Sequence, residues 1–155
     1  MRSVSLKPGD KIGIVSTARK ISREEIEPAI QLFKSGQLVS VLGKTIGLEK
    51  NQFAGNDEQR AADLQTMIDA PEIKAIICAR GGYGTVRILE KLDFSSLEKQ
   101  PKWIAGYSDV TALHNLFHAK LGIPSIHSTM PINFKTNTEP AVSYTHLTLP
   151  TMLWV

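Results

Sequence analysis

Short apolar runs alternate with stretches of helical periodicity along most of the chain. Lys11-Ile12-Gly13-Ile14-Val15-Ser16 predicts a first strand. Ser22-Arg23-Glu24-Glu25 then has the Ser-x-x-Glu spacing of a capping box, in which each side chain satisfies a free amide at a helix start. Ile26, Ile30 and Phe33 follow at helical spacing, and Gly36 is the expected stop. Pro28 lacks an N–H and fits a helix best in its first turn, which pulls the expected start toward Glu27. Leu38-Val39-Ser40-Val41-Leu42 predicts a second strand, followed by a long loop from Gly43 to Gly55. Asn56 with Gln59 starts another helix, whose buried face is Ala61, Leu64 and Ile68. Ala75-Ile76-Ile77-Cys78-Ala79 is an unbroken apolar run, as in a central strand covered on both faces, which makes Cys78 a core residue. After Arg80-Gly81-Gly82-Tyr83-Gly84, the residues Val86, Leu89 and Leu92 predict a helix, and a polar link runs to Pro101. Trp103-Ile104-Ala105-Gly106 is a fourth strand, Asp109 to about Lys120 a helix with Val110, Leu113, Phe117 and Leu121 inward, and Ile123 to His127 a fifth strand.

Strand and helix alternating through five strands predict an α/β fold: a doubly wound, mostly parallel sheet of the Rossmann or flavodoxin-like kind. Such sheets bind ligands beyond the carboxyl ends of their strands. The residues expected there are Ser16 and Thr17, the Gly81–Gly84 loop, Ser108, and His127 with Ser128.

Composition narrows the partners. The chain has 155 residues with 18 Lys+Arg against 15 Asp+Glu, and a net charge of +3 with no basic stripe does not favour nucleic acid. No apolar stretch has the length of a bilayer span, and the first residues do not resemble a signal peptide, so no membrane partner is expected. A single cysteine rules out an internal disulfide and fits a reducing compartment, the cytoplasm. His114 and His118 stand four apart, but Asn115 replaces the glutamate of a His-Glu-x-x-His zinc site, and neither a metal nor a cofactor is expected. The stretch from Ala141 to Val155 has no Asp, Glu, Lys or Arg, whereas the charged fraction of 21% predicts roughly three. It reads either as a buried terminal strand or as a segment foreign to the rest.

Gly106-Tyr107-Ser108-Asp109 sets a serine at a strand-to-helix turn, the location of a nucleophile elbow, although Val110 stands where Gly-x-Ser-x-Gly has its second glycine. The plainer role for Ser108 is a helix N-cap. The glycine loop exposes backbone N–H groups, with which an oxyanion, a phosphate or a tight turn are all compatible; the amide of Asp109 is the natural second donor for an oxyanion. Arg80 suits either a substrate carboxylate or a neighbouring group. His127 lies on the ligand side of the sheet without an assigned acidic partner, so the residues alone assemble no triad.

Phe53-Ala54-Gly55-Asn56-Asp57 with Arg60, Asp63 and Leu64, then Arg80-Gly81-Gly82-Tyr83-Gly84, then Gly106-Tyr107-Ser108-Asp109-Val110-Thr111, resemble in their order and intervals the serine-type LD-carboxypeptidases. That family includes murein tetrapeptide carboxypeptidases and microcin-immunity peptidases. The likeness runs from about Lys7 to Met130. It implies that Ser108 is the nucleophile, that amides near Gly82 and of Asp109 form the oxyanion hole, and that Arg80, Gly81, Tyr83, Gly84 and His127 line the substrate site. The implied reaction releases a C-terminal D-amino acid from a murein peptide through an acyl-enzyme. In the family the glutamate and histidine of the triad come from a second, C-terminal domain, and the complete protein is often a dimer. The expected organisation is therefore an N-terminal nucleophile domain over residues 1–140, an atypical tail over 141–155, and weak or no activity without the second half. Ser128-Thr129 stands where the family usually has Gly-Pro after the histidine. The competing reading is a non-catalytic α/β domain that holds an anionic or nucleotide ligand on its glycine loop.

Overall fold

A computed structural model describes residues 5–135, so the charge-free segment 141–155 lies outside the described residues. The strands among them are β1 (Lys11–Val15), β2 (Val39–Leu42), β3 (Ile73–Cys78), β4 (Trp103–Gly106) and β5 (Ile126–His127). All their pairings are parallel, in the order β2-β1-β3-β4-β5. Of the two expected arrangements this is the flavodoxin-like one, in which the chain steps outward from β1 to β2 and then reverses to β3. The loops leaving β1 and β3 therefore part in opposite directions and open a crevice at the carboxyl edge.

The reversal also divides the helices between the two faces. Helix α1 (Arg23–Ser35) packs Ile26, Ala29 and Phe33 against Ile12, Ile14, Ala75 and Ile77. Helix α2 (Asp57–Asp69) and helix α4 (Thr111–Leu116) cover the other face, where Leu64, Ile68, Leu113 and Phe117 meet Ile76, Cys78 and Ile104. The central strand β3 is thus apolar on both sides, as its unbroken run predicts. Both helix starts form complete capping boxes, Ser22 with Glu25 and Asn56 with Gln59. Lys102 is buried at the end of α2, where its ammonium donates to the carbonyl of Met67 at 2.9 Å and to that of Ala70. A cation is favourable at this negative end of a helix dipole, although burial lowers the lysine pKa.

Three expectations need correction. Pro28 lies well inside α1, and the helix starts at its Ser22 cap rather than near Glu27. The carbonyl left without a helix donor by Pro28 is that of exposed Glu24, within reach of water. The segment after the glycine loop is a 3₁₀ helix, Thr85–Lys91, whose buried residues are Thr85 and Ile88, while Val86 is 51% exposed. A three-residue period replaces the α-helical one and rotates Val86 outward. The polar link before Pro101 contains a short helix, α3 (Ser95–Lys99), held by buried Leu97.

The register of the 3₁₀ helix is tested by paired substitutions. Ile88→Ala should lower stability by about 2–5 kcal/mol in urea unfolding, whereas Val86→Ala should change it by no more than about 0.5 kcal/mol.

Candidate active site

The turn after β4 is built from steric necessity. At Gly106 φ is +157°, and a Cβ there would come within 2.9 Å of Val110 Cγ1, so only glycine lets the chain fold back over the buried Val110 side chain. Tyr107 is extended, and Ser108 takes φ +60°, a left-handed conformation that costs a non-glycine residue about 1–2 kcal/mol. Ser108 is exposed at the tip, and Asp109 and Val110 complete a 3₁₀ turn leading into α4.

The glycine loop from β3 lies beside this turn. A Cβ on Gly81 would stand 3.4 Å from Ser108 Cβ and 3.6 Å from the Asp109 amide nitrogen, so any longer side chain would crowd the serine. The two loops are also hydrogen-bonded, because the Thr85 amide donates to Asp109 Oδ2 at 2.8 Å. Beneath them the hydroxyls of Thr85 and Thr17 are 2.8 Å apart, joining the loops after β3 and β1. Cys78 is fully buried near Thr17, and desolvation pushes its thiol up to about 12, so it remains an uncharged core group.

The loop after β1 is held from several directions. Ser16 Oγ donates to the Arg19 carbonyl at 2.5 Å, Ala54 N to Ala18 O at 3.1 Å, and Lys20 N to Gln52 O at 3.0 Å. Arg80 joins this scaffold through a 3.2 Å bond from Nη1 to the Lys20 carbonyl, which is the neighbour-pairing role open to it in the sequence. Asp63 organises the loop after β2: it accepts from the amides of Lys44 and Thr45 at 2.9 and 2.8 Å and from the Thr45 hydroxyl at 2.5 Å. On the outer side, the Phe53 ring has Arg60 at 4.8 Å and Arg87 at 5.4 Å, and Asp57 accepts from both guanidinium groups. Tyr83 is 53% exposed and lies against Phe53, with ring centroids 6.5 Å apart, while Gly84 backs onto Ala18.

His114 and His127 lie under and beside the serine turn. The Gly106 carbonyl accepts from the Ser128 amide at 3.1 Å and faces His114 Nε2 at 2.9 Å; because a carbonyl only accepts, Nε2 carries the proton. Nδ1 of His114 is buried without a partner, and burial lowers the pKa of the ring, offset in part by the bond to Gly106, with His127 adding a further depression. His127 is exposed at the end of β5, its ring 6.1 Å from that of Tyr107. Tyr107 in turn donates to Asn133 Oδ1 at 3.1 Å. Among the described residues no imidazole or carboxylate hydrogen-bonds Ser108 Oγ, and no cluster of His, Cys, Asp and Glu suits a metal ion.

Of the residues singled out in the sequence, Gly81 lies against Ser108 and the Asp109 amide, Gly82 lies under the Arg19 side chain, Tyr83 and Gly84 form the outer rim of the same loop, and His127 stands at the far strand end. Thr17 stands at the strand end where it is expected, whereas Arg19 and Thr85 carry no motif, and only the juxtaposition of strand ends brings them to the site.

The description "LD-carboxypeptidase N-terminal domain" matches residues 12–128. The chain belongs to the LD-carboxypeptidase family. Among curated relatives, a probable murein peptide carboxypeptidase of Bacillus subtilis is 36% identical over 126 residues, which is 81% of this chain and 40% of the relative. A murein tetrapeptide carboxypeptidase of Pseudomonas aeruginosa is 31% identical over 118 residues, 76% of this chain and 38% of its own. Among solved structures, a microcin C7 self-immunity protein in complex with aspartyl sulfamoyl adenosine superposes with a TM-score of 0.86 at 25% identity, covering 94% of this chain and 45% of that one. The chain therefore spans about 40% of the length of these curated relatives. No helix among its described residues is long and apolar enough to cross a membrane.

Two outcomes follow for this site. Asp109→Ala removes the acceptor of the Thr85 amide, and a loss of about 0.5–2 kcal/mol is expected, with faster hydrogen exchange at that amide. His114 has a folded pKa below its unfolded value, so the unfolded chain binds the proton first as pH falls. Stability should therefore drop as pH falls below about 6.5 and level off below the folded pKa; His114→Gln should flatten that part of the profile in urea titrations.

Proposed function

We propose that this chain is the nucleophile-bearing part of a serine LD-carboxypeptidase acting on murein tetrapeptides. The observation that carries this reading is Ser108, exposed and left-handed at the end of β4, with Gly81 against its Cβ. A strained, exposed serine is unnecessary for a helix cap, since no side-chain cap bond forms at this turn. In the proposed reaction Ser108 Oγ attacks the carbonyl that joins an L-centre to the terminal D-residue. The amides of Gly82 and Asp109 receive the developing oxyanion. The nitrogen of the D-residue leaves with a proton, and water then hydrolyses the acyl-serine, restoring the hydroxyl.

A base must take the Ser108 proton, and in this reading a glutamate and a histidine of a second, C-terminal domain outside these 155 residues supply it, as the family resemblance implies. Losing triad members in serine hydrolases costs factors of roughly 10⁴ to 10⁶, so the 155-residue chain alone is a slow catalyst at best.

The test is D-alanine release from a murein tetrapeptide, followed by mass spectrometry. Turnover by the chain should lie roughly 10⁴-fold or more below that of a complete relative, and Ser108→Ala should reduce what remains to background. Release that persists undiminished in Ser108→Ala would remove the serine from the mechanism. Hydrolysis of an aminoacyl sulfamoyl nucleoside in place of the peptide would keep the serine and change the substrate.

A further inference from the structure

A carboxypeptidase must recognise the free carboxylate of the residue it releases, and the crevice beside Ser108 contains a cation placed for this. We propose that Arg19 binds the terminal carboxylate of the substrate, which makes it a specificity-determining residue of this site. The inference rests on the carboxypeptidase reading above.

Four observations lead to it. Arg19 lies in the loop after β1 and Gly82 in the loop after β3, the two loops that part at the reversal of strand order, where ligands enter such sheets. The Arg19 side chain runs across Gly82: a Cβ on Gly82 would come within 2.7 Å of Arg19 Cγ and Cδ and 2.9 Å of Nε. Gly82 is thus a glycine twice over, for its φ of +113° and for the groove that its missing side chain leaves to the arginine stem. The Arg19 backbone is fixed by the Ser16 hydroxyl on its carbonyl and by an antiparallel bridge to Phe53, so the stem leaves a rigid base. Finally, Arg19 is exposed, and among the described residues no acidic group pairs with it, whereas Lys20 next to it is matched by Glu49 at 2.6 Å.

Gly81, the neighbour of Gly82, lies against Ser108, and in the leaving residue the carboxylate carbon is only two bonds beyond the scissile nitrogen, so the group that binds it belongs in the loops beside the serine. A guanidinium presents paired N–H donors in a plane, the geometry that receives both oxygens of a carboxylate. Arg80 is less suited to this role, because one of its terminal nitrogens is spent on the Lys20 carbonyl.

The probe is N-acetyl-D-alanine, compared with N-acetyl-D-alanine amide, titrated into the 155-residue chain while the Arg19 Nε–H resonance is followed by NMR. The acid should shift that resonance saturably and the amide should not. Arg19→Gln should weaken binding of the acid roughly tenfold or more, Arg19→Lys less, and Lys20→Gln should leave it unchanged. Equal binding of acid and amide, no saturable shift at Arg19, or equal losses in Arg19→Gln and Lys20→Gln would each overturn the proposal. If Ser108-dependent release of D-alanine is found alongside such a result, Arg19 alone is dismissed; if release instead persists undiminished in Ser108→Ala, the serine carboxypeptidase reading fails separately.

Discussion

The bond from the Thr85 amide to the Asp109 carboxylate is the constraint on which the carboxyl edge of this sheet depends. It fastens the glycine loop leaving β3 to the serine turn leaving β4, two segments that share no strand and whose glycines give the backbone little stiffness. With that bond in place, Gly81 is held against Ser108. The hydroxyl pair of Thr17 and Thr85 carries the same tie on to the loop after β1. Strain at Ser108 persists because its surroundings determine it: buried Val110 on one side, the Gly106 carbonyl with two donors on the other.

Much of this was legible in the chain because it is local. The boxes at Ser22 and Asn56 involve residues three apart, and the unbroken run of β3 states its own burial. The serine turn was legible for a similar reason, since glycine, serine and the onset of a helical pattern are close neighbours. Pro28 and Val86 were misread because each obeys a rule that a local circumstance overrides. An exposed carbonyl makes the proline tolerable, and a tighter helix changes which side chain faces inward.

What could not be read from the chain is what the sheet assembles. Arg19 reaches Gly82 only because β1 and β3 are neighbours in the sheet though distant in sequence, and no spacing pattern encodes that. Phe53, Asp57 and Arg60 belong to the family pattern, but their task emerges only with Arg87, whose guanidinium joins theirs around one ring and one carboxylate. Through Phe53, which lies against Tyr83 and Gly84, they brace the outer wall of the glycine loop.

The contact between Gly106 and Val110 bears on how such turns are found at all. A motif written with glycine on both sides of the serine treats the two positions as separate requirements. Here they share one volume: the valine methyl fills the space that a side chain at position 106 would take, so one bulky partner is admissible if the other has none. In this chain the two positions divide one volume between them, and a search that demands both glycines would pass over it.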